Sequence, residues 1–103
     1  MPAKKEYDIV LVVWEDAEEH GDTGWNNMKD QLKYAKKPCP VMKSVGFVVH
    51  RDDSHIALMS SLGVGGKDCS TVEKIPMSFV TKVIPLSVTE TARDAKPDAL
   101  KKH

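Results

Sequence analysis

The segment from Tyr7 to Asp16, YDIVLVVWED, constrains this chain most, because both sets of its alternating residues are apolar. Side chains alternate between the two sides of a β-strand. The two sets here are Ile9, Leu11 and Val13 on one side and Val10, Val12 and Trp14 on the other. Strands that are apolar on both sides are typically buried on both sides. The segment therefore predicts a strand between the core and another layer or a neighbouring subunit.

Length and charge limit the chain to one ordinary globular domain. It has 103 residues, of which 41% are hydrophobic, and a formal net charge of zero. This balance argues against a wholly basic nucleic-acid-binding chain and against an acidic disordered one. No apolar run approaches the roughly 18 residues of a membrane span, and two cysteines are too few for a disulfide scaffold. We therefore expect a cytoplasmic protein.

A helix and a hairpin follow the first strand. Trp25 to Lys37 carries one apolar stripe at helical spacing and ends before Pro38. Val41 to Ser61 predicts a hairpin around a two-residue turn at Asp52 and Asp53. The face predicted to meet the core contains Val45, Phe47, Val49, Ile56 and Leu58. The opposite face, where a ligand or subunit could lie, contains Ser44, Gly46, Val48, His50, His55, Ala57, Met59 and Ser61.

The remaining pattern predicts two more strands and two irregular ends. Cys69 to Ile75 and Thr81 to Leu86 have strand composition, and Pro76 to Phe79 predicts a single helical turn between them. Residues 1–6 are expected to form an N-terminal arm, and residues 87–103 a flexible tail poor in large apolar residues. Five short strands in residues 7–86 most economically close into a small β-barrel with the helix packed on it, because closure removes exposed edges. The expected fold class is mainly β (α+β), and burial of the two-sided strand predicts a homo-oligomer.

Short pieces of the chain resemble known small barrels. The run Ile75 to Val80 is similar to the end of a Src-homology-3-like barrel, where a one-turn helix separates the last two strands, and the element order resembles the Sm-like version. The chain also looks like small uncharacterised proteins encoded by bacteriophages and prophages, in the pieces Val13-Trp14-Glu15-Asp16, Gly24-Trp25, Ser44-Val45-Gly46-Phe47, Ile56-Ala57-Leu58, Ser60-Ser61, Ile75-Pro76, Val83 and Leu86. The resemblance implies a role in interfering with host defence, for example by sequestering a nucleotide signal or binding a host protein.

Two groups of residues are candidates for ligand binding. Trp14, Asp16 and Trp25 would stack a base and accept its amino hydrogen if they met at one end of the sheet. Ser44, Gly46, Ser60 and Ser61 would leave room near the backbone for phosphate oxygens. Each group also has a structural interpretation, in which the tryptophans fill or staple the core, Asp16 caps a turn and Gly46 marks a strand bend.

A lysine-rich set is the candidate for nucleic acid. Lys29, Lys33 and Lys36 share one face of the predicted helix, and Lys43 follows nearby in sequence. Such a face would contact RNA or DNA in an Sm-like protein, although most lysine faces of helices are simply solvated. Acidic residues outnumber basic ones between residues 6 and 86, which opposes long-range attraction to a polyanion.

No pattern indicates catalysis, a metal or a cofactor. Cys39, His50, His55 and Cys69 do not follow a zinc-ribbon or zinc-finger spacing. The glycine run from Gly63 to Lys67 lacks the spacing and the following helix of a phosphate-binding loop. We therefore expect a non-catalytic binding protein. The alternatives are an Sm-like RNA or DNA binder and a small structural or interaction subunit of a larger assembly.

Overall fold

The computed structural model describes residues 6–91 and shows one antiparallel sheet with one helix. The elements are β1 (Ile9–Glu15), α1 (Met28–Ala35), β2 (Val41–Arg51), β3 (His55–Met59), β4 (Val72–Pro76), a 3₁₀ turn (Met77–Phe79) and β5 (Val80–Leu86). The strand order is β4-β3-β2-β1-β5. A mainly β fold with five strands and a helix after the first strand is therefore confirmed. The predicted arm (1–6) and tail (87–103) fall mostly in residues 1–5 and 92–103, outside the described residues.

The sheet is strongly curved, because the 3₁₀ turn joins its two edge strands, β4 and β5. Edge strands of a flat five-stranded sheet would be about 19 Å apart. A 3₁₀ turn advances only about 2 Å per residue, so three residues cannot span that distance. The edges must therefore approach each other. Across residues 6–91, however, β4 and β5 form no ladder, so the sheet is not closed into a barrel.

The core lies on the concave side of this curved sheet. Its buried residues are Val10, Val12, Ile56, Leu58 and Ile75, with Trp14, Val48, Met77, Val80 and Val83 packed partly buried against them. Ile75 comes from one edge strand and Val83 from the other. Residues from the two opposite edge strands therefore meet in one core cluster, because the sheet curves toward this side.

The register of the β2–β3 hairpin differs from the prediction. The loop has three residues, Asp52 to Ser54, and His50 pairs with Ala57 rather than with His55. The three-residue loop forms because the Asp52 carboxylate accepts hydrogen bonds from the backbone N–H groups of Ser54 and His55, at 2.7 and 3.0 Å. The prediction of a two-residue turn is therefore wrong.

The predicted hairpin faces are also exchanged in β2. A register shift between Val48 and His50 marks a bulge at Val49. Because Gly46 pairs with the buried Val10, and Val48 packs against the core, the even-numbered residues that precede the bulge face inward. Val45 and Phe47 therefore point to the opposite side, and their assignment to the core is wrong.

Helix α1 is shorter than predicted and exposed. It begins at Met28 because the Asn27 side chain caps it, accepting from the backbone N–H of Asp30 at 3.0 Å. None of residues 28–35 is buried. The predicted packing of the helix on the core is therefore wrong. The helix instead contacts the preceding loop, where Gln31 Nε2 donates to the carbonyl of His20 at 2.8 Å and the Tyr34 ring stacks on His20.

Candidate functional site

The convex side of the sheet, opposite the core, carries apolar residues in register. One row crosses all five strands, and a second crosses the three strands β5, β1 and β2. A third row places Val13 between two lysines. We call this side the open face and define it by Leu86, Ile9, Phe47, Met59 and Val72 in the first row, Ile84, Leu11 and Val45 in the second, and Val13 in the third.

Much of the open face is accessible to solvent. Val45 is 59% exposed and Val72 is 47% exposed, whereas Val10 and Val12 on the other side of the sheet are 5% and 0% exposed. The β1 residues of the open face are half-buried. β1 was predicted to be buried on both sides, but only the side that faces the core carries buried residues. A contiguous apolar surface of this kind is a candidate interaction site.

A groove lies where the glycine-rich loop approaches the first row. It has a volume of about 930 Å³ and is lined in part by Ile9, Phe47 and Met59 from the sheet. Tyr7, Lys67 and the loop residues between Leu62 and Cys69 form its other wall. The groove is the size of many small-molecule sites, which measure about 300–1,000 Å³. It was not predicted, because the glycine run alone gave no indication of the surface it would face.

Trp14 and Ser44, two predicted ligand-binding residues, contact each other. Trp14 Nε1 donates a hydrogen bond to Ser44 Oγ at 3.0 Å between β1 and β2. Trp14 packs partly buried against the core. Because its single donor is satisfied within the sheet, the indole acts here as a structural anchor.

Trp25 and Asp16 do not join Trp14. The Trp25 side chain is fully exposed, so it stacks on neither the core nor the other indole. The Asp16 backbone N–H donates to the carbonyl of Pro40 at 3.0 Å, and its carboxylate accepts from the Ala17 N–H at 2.9 Å. The structure therefore does not assemble the predicted base-stacking pair.

Gly46, Ser60 and Ser61 hold the strands in place. A Cβ atom added at Gly46 would lie 2.9 Å from the carbonyl oxygen of Met59, so glycine permits the close approach of β2 and β3. The backbone N–H groups of Ser60 and Ser61 both donate to Ser70 Oγ, at 3.0 and 3.2 Å. These contacts tie the end of β3 to the segment that leads into β4.

The predicted lysine set is divided between two elements. Lys29 and Lys33 lie on α1 and Lys36 caps its end, whereas Lys43 lies on β2. Lys43 pairs with Val13, and so does Lys82 from β5. Lys43 and Lys82 therefore form the rim of the open face.

The hairpin tip brings together His50, Asp52 and His55. Asp52 Oδ2 lies 2.7 Å from His50 Nε2, and Asp52 Oδ1 lies 3.7 Å from His55 Nδ1. The two imidazole rings stack with centroids 5.1 Å apart. The hydrogen bond from His50, followed by those from the backbone of His55 and Ser54, holds the pKa of the Asp52 carboxyl well below its usual range. The predicted two-residue turn made His50 and His55 cross-strand partners beside the acidic turn at Asp52 and Asp53, but it gave the Asp52 carboxylate no contact with them. The sequence signal was the run His50-Arg51-Asp52-Asp53-Ser54-His55.

Comparison of the chain with protein-family models, curated proteins and solved structures found no match. Among residues 6–91, no helix has both the length and the apolar character needed to cross a bilayer.

Proposed function

We propose that this chain is a non-catalytic interaction module and that a second copy of the chain covers its open face. The observation that carries the proposal is the apolar row across all five strands, from Leu86 to Val72, on the side away from the core. A sheet face of this composition gains free energy when another apolar layer removes it from water. Lys43 and Lys82 at the rim suit an interface with an apolar centre and a polar edge.

The size of the open face predicts weak association. Strands are about 4.8 Å apart and successive same-side residues about 6.8 Å apart, so each residue covers about 33 Å² and the nine residues of the open face project over roughly 300 Å². Two facing copies would bury about twice this projected area, which is below the roughly 1,200–2,000 Å² of stable protein interfaces and in the range of transient contacts. We therefore expect a dimer with a micromolar dissociation constant.

A second copy fits this face better than residues 1–5 or 92–103. Residues 92–103 contain one large apolar side chain, Leu100, and residues 1–5 contain only Met1. Such segments offer little apolar surface to cover three rows. The formal net charge of zero removes long-range repulsion between copies.

The fold that we propose is a small barrel of the Sm-like or Src-homology-3-like kind. The one-turn helix between β4 and β5 and the resulting approach of the two sheet edges support it. In such a barrel the open face would form part of the outer surface, and the proposed dimer would use it.

Nucleotide binding is the second candidate, favoured by the groove beside the open face. Tyr7 and Phe47 supply rings on which a base can stack, and Lys67 supplies a cation for a phosphate. With nucleotide binding in this groove, the chain would have the role that the resemblance to phage proteins implies, the sequestering of a nucleotide signal in the bacterial cytoplasm. This candidate moves the site from Trp14, Asp16 and Trp25 to the groove.

The dimer is tested by light scattering coupled to size exclusion, from low micromolar to several hundred micromolar protein. Val45→Glu places a charge in the middle of the second row, at a position exposed enough to leave the isolated fold intact. Met28→Glu is the matched control, because Met28 is 71% exposed and lies on α1. The proposal requires a concentration-dependent dimer that Val45→Glu abolishes and Met28→Glu preserves. A monomer at every concentration would refute it, as would a dimer unaffected by Val45→Glu.

Thermal-shift measurements with cyclic di- and oligonucleotides test the second candidate. Stabilisation that is lost in Lys67→Glu and kept in Lys29→Glu supports the groove. Stabilisation lost only in Lys29→Glu would favour the helix lysines and an Sm-like nucleic-acid binder instead. No stabilisation by any nucleotide argues against this candidate and leaves the dimer as the remaining function to test.

A further inference from the structure

The hairpin tip combines three metal-ligating side chains within a short distance. One ligand atom from each of His50, Asp52 and His55 can be chosen so that all three atoms lie within 4.8 Å of one another. The bulge at Val49 and the three-residue loop accompany this arrangement, in which the Asp52 carboxylate lies beside the two stacked imidazoles and approaches a ring nitrogen of each.

We propose that this tip binds zinc, or a divalent transition-metal ion of similar chemistry, through His50, Asp52 and His55. Ligand atoms around a tetrahedral zinc ion at about 2.0–2.1 Å are about 3.3 Å from each other. Asp52 Oδ2 lies 2.7 Å from His50 Nε2, and one ligand atom from each of the three residues lies within 4.8 Å of the other two, which is close to that spacing. Small changes in side-chain torsion therefore convert the hydrogen-bonded cluster into a ligand set.

The chemistry of the three ligands selects the metal. Two imidazole nitrogens and one carboxylate suit zinc and neighbouring transition metals, whereas calcium and magnesium prefer sites built from oxygen ligands. Three protein ligands leave a coordination position for water, as the exposed site allows. His50 and His55 retain side-chain exposures of 54% and 31%, so their rings have room to turn about the broad χ2 minimum.

The loop backbone already orients the carboxylate. Asp52 Oδ1 accepts from the N–H groups of Ser54 and His55, and the Asp52 N–H donates to the carbonyl of His55 at 3.1 Å. The Met77 N–H donates to the carbonyl of Ser54 at 2.9 Å, which ties the loop to the 3₁₀ turn. Outer contacts of this kind fix ligand orientation, and their loss typically weakens metal binding about 10–100-fold. Oδ2 remains available to the metal while Oδ1 holds the loop.

Isothermal titration of metal-free protein with zinc chloride tests the proposal. We expect one zinc ion per chain with a micromolar dissociation constant, and no heat with magnesium chloride. His50→Gln, His55→Gln and Asp52→Asn should each weaken binding at least about tenfold, because loss of even an outer contact costs about 10–100-fold. Asp52→Asn keeps an oxygen acceptor for the two loop N–H groups, so it preserves the loop while removing the charge.

Two control variants separate this cluster from other zinc-binding groups. His20→Gln removes a histidine that stacks on Tyr34 outside the cluster. Cys39→Ser with Cys69→Ser removes both exposed free thiols. Each control must retain the full affinity. Absence of zinc binding, loss of binding in the cysteine variant, or unchanged affinity in Asp52→Asn and both histidine variants would overturn the proposal.

NMR of the imidazole protons supplies a readout that does not depend on affinity. Addition of zinc should shift the ring signals of His50 and His55 and leave those of His20 in place. Shifts at His20 alone would place the metal elsewhere and would overturn the assignment. These measurements do not depend on self-association, so the metal site and the dimer can fail separately.

Discussion

Gly46→Ala tests the close approach of β2 and β3 that the structure assigns to this glycine. The added Cβ would lie 2.9 Å from the Met59 carbonyl oxygen and 3.1 Å from Leu58 Cβ. The first distance is to backbone, which cannot turn aside as a flexible side chain can. The strand pair must shift, and overpacking of this kind costs about 1–3 kcal/mol. In a domain of this size, each kcal/mol lowers the melting temperature by about 4–8 °C.

Urea denaturation with a matched glycine variant measures that cost. Gly65 has no atom within 4 Å of an added Cβ, so Gly65→Ala lacks the clash. Both alanines reduce the freedom of the unfolded chain, which favours folding by about 0.4–1 kcal/mol where the native backbone tolerates alanine. The difference between the variants therefore isolates the steric term. Low protein concentration keeps self-association from contributing. Equal stability of the two variants would refute the role assigned to Gly46.

Three further measurements test the core and the contacts around it. Ile56→Ala should lower the free energy of unfolding by about 2–5 kcal/mol, because Ile56 is fully buried in the core; a loss below about 1 kcal/mol in urea denaturation would contradict this. Ser44→Ala should lower the free energy of unfolding by about 1 kcal/mol, because it removes the acceptor of the Trp14 indole N–H. A double-mutant cycle with Trp14→Phe should show that the two side chains are coupled; additive effects would exclude this hydrogen bond. The hydrogen bond with the Glu18 carboxylate raises the pKa of Tyr34 to about 12. The contribution of this bond to the stability of the folded state is therefore complete below pH 10 and is lost as the pH rises toward 12. A ¹³C NMR titration should find this pKa and its return toward 10 in Glu18→Ala; no change in that variant would exclude the contact.

The elements of the fold were predictable from local pattern. The alternation in Tyr7 to Asp16 identified β1, and the β-branched run before Pro76 identified β4. The one-turn helix between the last two strands was also found in the predicted place. These signals are local, because strand alternation and turn composition depend on neighbours in the sequence.

Register and helix packing were not predictable in the same way. The hairpin register depends on whether the Asp52 side chain bonds to the loop backbone, and that choice shifts every cross-strand pair. An apolar stripe from Trp25 onward predicted a packed helix, yet Trp25 is fully exposed and α1 begins only at Met28. An amphipathic pattern shows which side of a helix would bury apolar area. It does not show whether the chain supplies a surface for it.

The candidate sites depended on tertiary placement even more. Trp14 and Ser44 were predicted in separate groups, and the structure joins them by a hydrogen bond. His50 and His55 were predicted as a pair, but the contact of the Asp52 carboxylate with His50 forms in a hairpin that has a bulge and a longer loop than predicted. A search of the sequence for fixed ligand spacings does not detect such a cluster, because one additional loop residue changes which side chains meet.

Curvature explains why the sequence suggested the wrong face of β2 as the core. Large apolar residues such as Phe47 and Val45 are usually assigned inward, and small ones such as Gly46 and Ser44 outward. On the concave side of a sheet whose edges approach each other, however, inward side chains crowd together. Small residues in the central strand then provide room for the side chains of neighbouring strands, as Leu58 shows, whose Cβ would lie 3.1 Å from a Cβ added at Gly46. The larger residues are left on the convex side, where Val45 is 59% exposed.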